Sequence, residues 1–122
     1  MAGQFGNFVA GRSQHGRIQV WDTEWTLLSA NGSTNLAQRA FVFIQNKSKS
    51  ALALRFVERG NNNAATFTTP TANTATVQSA IEIAGGDIAS FPVGDGVALF
   101  GRIHPKAGSP DTGGNVVVVE FS

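Results

Sequence analysis

Apolar and polar positions alternate along this chain in short bursts, most of them closed by glycine, proline or asparagine. The densest burst runs from Ala40 to Glu58: Ala-Phe-Val-Phe-Ile-Gln, then Asn-Lys-Ser-Lys-Ser, then Ala-Leu-Ala-Leu-Arg-Phe-Val-Glu. Two runs rich in β-branched and aromatic residues around a polar, turn-forming stretch predict a β-hairpin. In the second run Leu52, Leu54 and Phe56 fall on one face and Ala51, Ala53 and Arg55 on the other. In the first run Phe41 and Phe43 oppose Val42 and Ile44, so both faces are apolar. That pattern predicts a central strand buried on both sides. On this reading Phe43→Ala empties a core position at a cost of about 3–5 kcal/mol.

The same period of two recurs elsewhere. From Arg17 to Leu28 the chain is strand-like, with Ile18 and Val20 on one face, Trp21 and Trp25 on the other, and a bend expected at Asp22–Glu24. Asn31-Gly32 is a strong turn dipeptide. Ile81–Ala84, Ile88–Val93, Val97–His104 and Val116–Ser122 are further extended segments, punctuated by Gly85-Gly86-Asp87, Gly94-Asp95-Gly96 and Pro110–Gly114. No stretch carries a convincing helical period. Seven or eight short strands with turn signals between them predict an all-β fold, an antiparallel β-sandwich or small barrel.

Two stretches fall outside that pattern. Residues 1–16 contain Gly3, Gly6, Gly11 and Gly16, each of which is costly in backbone entropy to order. They are expected to form either a frayed terminus or, on the sharper reading, an extended N-terminal arm ahead of a single β-sandwich domain at 17–122, with Phe5, Phe8 and Val9 as anchors that dock on a neighbouring subunit. Residues 59–80 form a long Asn- and Thr-rich connection, and loops of that length inside a domain tend to be functional or to touch other subunits. Pro70 cannot donate to a ladder, so any strand there is an edge. The candidate partner-binding residues are therefore Phe5, Phe8, Val9, Phe67 and Pro70, together with Trp21 and Trp25.

Composition sharpens the picture. Only 14% of the 122 residues are charged, against the usual quarter or so. A surface so poor in charge suits burial against other subunits, and a homo-oligomer is expected. The net charge of +1 gives no electrostatic case for nucleic acid or an anionic membrane. Cysteine is absent, which removes disulfides and thiolate metal sites. No run approaches the ~20 apolar residues of a membrane helix. The first residues lack the basic and apolar regions of a signal peptide, so the expected location is a cytoplasm or a particle assembled in one.

Candidate chemistry is sparse. His15 and His104 lie far apart in sequence and have no ligand spacing, so no metal and no cofactor is expected. Asp22 and Glu24 could serve glycoside hydrolysis only if they lined a sugar cleft. Asp95 between two glycines reads as a turn residue. Trp21 and Trp25 could form a stacking platform for a pyranose, although burial in a core or interface is the commoner fate of such residues. Neither a Gly-x-Ser-x-Gly elbow nor a phosphate-cradling Gly-Lys-Ser/Thr loop is present. No enzyme is expected.

Four pieces of the chain carry a resemblance. Phe43–Ser48 ends a strand in Gln-Asn-x-Ser, and Leu52–Phe56 reads Leu-x-Leu-x-Phe. Ile81–Gly86 reads Ile-x-Ile-Ala-Gly-Gly, and Val116–Phe121 reads Val-x-Val-x-Glu-Phe. Together, over residues 39–122, they resemble small β-sandwich structural proteins of tailed-bacteriophage virions. The chain departs from that pattern in the inserts at 60–80 and 105–115, and its first 38 residues are not covered. The resemblance implies a non-enzymatic virion component, foremost a capsid decoration (cement) protein. Its implied partners are the major capsid protein and copies of itself, in a virion assembled in the host cytoplasm. A tail or head–tail adaptor piece, or a carbohydrate- or receptor-binding module of the virion, are the alternatives.

Overall fold

The computed structural model describes residues 12–32, 34–58, 69, 80–104 and 112–122. Among these the chain forms eight strands and no helix: β1 (Ser13–Trp21), β2 (Thr26–Leu27), β3 (Phe41–Asn46), β4 (Ala51–Glu58), β5 (Ile81–Ile83), β6 (Ile88–Phe91), β7 (Val97–His104) and β8 (Gly113–Phe121). They make two four-stranded sheets, ordered β1-β8-β3-β6 and β2-β7-β4-β5. All pairings are antiparallel, and β1 pairs with β8, β2 with β7, β3 with β6 and β4 with β5. The chain is thus one long antiparallel ribbon folded over into two layers. That nesting is the strand order of a jelly roll, a double-sheet form of the β-sandwich.

The core follows from alternation. Val20, Val42, Ile44, Val116 and Val118 of the first sheet meet Leu52, Leu54, Ile83, Leu99 and Ile103 of the second, with Leu28 between them. Fully burying each of the large aliphatic side chains contributes roughly 1.5–3 kcal/mol before conformational entropy is subtracted. Gly101 leaves room for core side chains: a Cβ there would come within 2.9 Å of a Leu28 methyl and 3.1 Å of a Leu52 methyl. The bend expected at Asp22–Glu24 is present between β1 and β2, fixed by a hydrogen bond of 2.8 Å from the Asp22 N–H to the Thr112 carbonyl.

Three sequence expectations are corrected. First, Ala40–Glu58 is not a hairpin, because β3 pairs with β6 and β8 whereas β4 pairs with β5 and β7. Residues 47–50 are an arch that carries the chain from one sheet to the other. Second, β3 lies inside its sheet, yet only its Val42 and Ile44 face is closed (both 0% exposed), while Phe43 is 40% exposed. The core cost assigned to Phe43 belongs to Ile44. Phe56 is likewise at the rim of the sandwich, 36% exposed and edge-on to Phe91 with ring centroids 5.3 Å apart.

Third, β1 begins at Ser13, so residues 13–16 of the expected arm belong to the sheet and pair with Val118–Phe121. Gly16 is required there, because a Cβ would collide with the Ala30 carbonyl. The anchors Phe5, Phe8 and Val9, and the loop positions Phe67 and Pro70, lie outside the described residues.

Candidate interaction surface

Two polar knots hold the sandwich, one centred on Glu120 and the other on Asn46. The first is the ion pair between Arg39 and Glu120, 2.9 Å apart, with both side chains fully buried. Glu120 Oε1 accepts from the Ala30 N–H at 2.8 Å and the Gln14 amide at 2.9 Å; Oε2 accepts from the Leu36 N–H at 3.0 Å and from Arg39. Arg39 also donates to the carbonyls of Val93, Gly94 and Val97 and to Asn35 Oδ1. Burial works against the Glu120 charge, but these four donors outweigh it and hold the carboxyl below its ordinary value. The pair ties the chain end at β8 to the segment before β3 and to the turn before β7.

The second knot is Asn46, also fully buried. Its Nδ2 donates to the Ser50 carbonyl at 2.8 Å and the Ile83 carbonyl at 3.0 Å, and its Oδ1 accepts from the Ser48 N–H and hydroxyl at 3.0 and 2.7 Å. The Gly86 N–H donates to the Asn46 carbonyl at 2.7 Å. Gly86 has φ +87°, and a Cβ on Gly85 would come within 2.9 Å of the Ser48 and Lys49 carbonyls. The Gln-Asn-x-Ser and Ile-x-Ile-Ala-Gly-Gly pieces are therefore two halves of one corner. Side-chain amide groups here satisfy backbone groups that a ladder would otherwise have paired. These motifs specify the fold.

The outer faces of the two sheets differ. On the second sheet, Trp25 (3% exposed), Ala53, Ala98 and Phe100 form a separate buried cluster, flanked by Leu27, Val57 and Ala80. The bend after β1 thus lays Trp25 over that face. The first sheet has no such cover among the described residues. Its outward positions form cross-strand rows: Arg17–Val117–Gln45–Ile88, His15–Val119–Phe43–Ser90 and Ser13–Phe121–Phe41. Phe43 and Phe121 meet edge to face with centroids 5.5 Å apart. With Ile88, Val117 and Val119 they line a shallow groove of about 310 Å³. Ile88 is 63% exposed and Phe121 39%. No carboxylate lies in these rows, and His15 and Arg17 border them on the β1 side.

The sequence-nominated side chains are scattered by this fold. Trp21 is 46% exposed, its ring lying against Gly113, where a Cβ would collide with it. Trp25 is buried on the other sheet, so the two indoles form no common platform and Trp25 is not an available partner contact. Asp22 and Glu24 sit on the bend rather than on one strand face. His104 Nδ1 pairs closely with Glu82 Oε2 on the outer face of the second sheet. Asp95 Oδ2 accepts the Gln38 N–H at 2.9 Å, a turn role that holds Gln38 at its positive φ of 58°. Among the described residues no three His, Asp or Glu side chains gather into a metal-binding group.

Sequence reasoning places Phe43 in the core and assigns no surface role to Ile88, Val117, Val119 or Phe121. The signal in the sequence is that β3 and β8 are each apolar on both faces; that they are neighbours comes from the structure. Against family models the chain has no match, and no curated protein matches it. The class defined by fold and surface is a jelly-roll β-sandwich with one outer face covered and the other, among the described residues, an open apolar face.

Proposed function

We propose that this chain is a structural subunit of a tailed-bacteriophage virion, a capsid decoration (cement) protein that binds the outside of the major capsid lattice as an oligomer and stabilises it. The observation that carries the reading is the apolar face of the first sheet, open among the described residues, on a body poor in charge. Contiguous apolar surface rimmed by polar residues marks contact with another macromolecule. The jelly-roll order is compatible with this class, since viral capsid and lectin domains share it; fold alone does not choose between them. The separation of Trp21 from the buried Trp25 favours a structural role over sugar stacking. In mechanism the subunit acts as a clamp: modest contacts repeated around a lattice combine into high avidity.

The test is location and consequence. Quantitative mass spectrometry of purified particles is expected to find the chain at lattice-scale copy number, and adding it to bare capsids should raise the temperature at which they rupture. Absence from particles, together with a saturable sugar whose binding Trp21→Ala removes, would replace this reading with a receptor-binding one.

A further inference from the structure

We infer that the groove on the first sheet is the receptor for residues 1–11 of a second copy of this chain, with Phe5, Phe8 and Val9 as the docked side chains. The inference deepens the oligomer in the proposed function and rests on that reading for its setting. Two observations carry it. One is chemistry: the groove is lined by Phe43, Phe121, Ile88, Val117 and Val119, and residues 2–11 contain no charged side chain but three large apolar ones within five positions. The other is where the arm leaves the sheet. Ser13 pairs with Phe121 at the mouth of the groove. The Arg12 N–H donates to Ser122 Oγ at 2.6 Å, and the Ser122 N–H donates to the Arg12 carbonyl at 2.8 Å.

These bonds fix the direction of exit. Arg12 continues the line of β1 past the end of β8, whereas the groove runs back from Phe121 towards Val117. To fill its own groove the chain would have to reverse completely within residues 9–11. To fill a neighbour's it need only continue. An extended stretch of this length spans up to about 36 Å, against about 13 Å for the groove from Val117 to Phe121. The arm is long enough to leave one body and lie along the next.

The chain has no cysteine, so introduced thiols report cleanly. Tagged protein carrying Phe8→Cys is mixed with untagged protein carrying Ser90→Cys, Ser90 being the exposed neighbour of Phe43, and oxidised. Cross-linked pairs of one tagged and one untagged chain, joined between positions 8 and 90, are expected in peptide mass spectra. In sedimentation, the double variant Phe5→Ser/Phe8→Ser and the groove variant Ile88→Arg should each weaken self-association at least about tenfold. Combining them should add little. Should Ile88→Arg fail to fold by its melting curve, the arm variant carries the test. The inference is overturned if the full chain is monomeric, if the arm variant associates like wild type, or if no link forms between position 8 of one chain and position 90 of another. These readouts use the isolated protein, so they fail or succeed independently of particle binding.

Discussion

Replacing Arg39 with methionine keeps much of the side-chain volume and removes the guanidinium from a site where both partners are fully buried. Glu120 would keep donors from Ala30, Leu36 and Gln14 but lose its counter-charge. Breaking a buried pair from one side costs about 3–5 kcal/mol, because the remaining charge is uncompensated. The carbonyls of Val93, Gly94 and Val97 also lose donors. A 122-residue domain has about 6–18 kcal/mol of total stability, so Arg39→Met should lose a large part of it and lower Tm by ten degrees or more, at roughly 3–5 °C per kcal/mol. Urea and thermal unfolding followed by the fluorescence of buried Trp25 measure this directly. Glu120→Gln should cost less, and the double variant Arg39→Met/Glu120→Gln less than the sum of the singles. The Glu120 carboxyl is held below its ordinary value. Its charge therefore stabilises the fold above the unfolded-state pKa of about 4.3, and that contribution is lost as pH falls through the lower folded value. The stability gap between wild type and Glu120→Gln should narrow on acidification through that window. A cost below ~1 kcal/mol for Arg39→Met, well under the buried-pair range, or a gap that widens in acid, would refute the assignment of this pair as the clasp of the fold.

Asn46→Ala should lose about 2–4 kcal/mol in denaturant unfolding, since the Ser50 and Ile83 carbonyls each lose a donor and the Ser48 N–H loses its acceptor; Asn46→Asp should be worse, its carboxylate facing those carbonyls. Gly16→Ala should detach or distort β1, because the added methyl meets the Ala30 backbone, whereas Gly96→Ala, with no heavy atom within 4 Å of the new Cβ, should change stability by no more than about 1 kcal/mol. Ile44→Ala should cost about 2–5 kcal/mol and Phe43→Ala markedly less, a contrast one pair of urea curves decides. A larger loss at Phe43 would mean that its ring is covered in the free protein.

The fold class was legible because alternation is local. Each strand bounded by Gly, Pro or Asn announced itself, and Val97–His104 was placed to the residue. What could not be read was which strand pairs with which. A hairpin and an arch both present two apolar runs around a polar stretch such as Asn46–Ser50; they differ in whether the turning backbone bonds to itself or to a distant corner. Here the decision lies with Asn46 reaching Ile83, thirty-seven residues away. The ion pair was hidden for the same reason: Arg39 and Glu120 are separated by 81 positions, and neither looks unlike a surface charge in sequence. Trp21 and Trp25 were placed on one face by counting in twos, and the bend at Asp22–Glu24 breaks that count and sends Trp25 over the other sheet.

Phe43 shows why a strand apolar on both faces is ambiguous. Alternation reports that each face is apolar; it does not report what covers it. In β4 and β7 the second apolar face is closed by Trp25 and its neighbours, supplied by the same chain. In β3 and β8 it carries Phe43, Phe121 and Val119 and remains open to solvent among the described residues. Exposed aromatic and β-branched side chains on adjacent inner strands add little to a free domain beyond cross-strand contacts of about 0.2–1 kcal/mol per pair. Polar residues on that face would provide the same ladder and better solubility. On the proposed reading, a second body laid against this face accounts for its composition. That is where the proposed arm exchange and the open side of β3 and β8 meet: Phe43, whose strand pattern predicts burial on both faces, is one of the side chains that a neighbouring copy would bury.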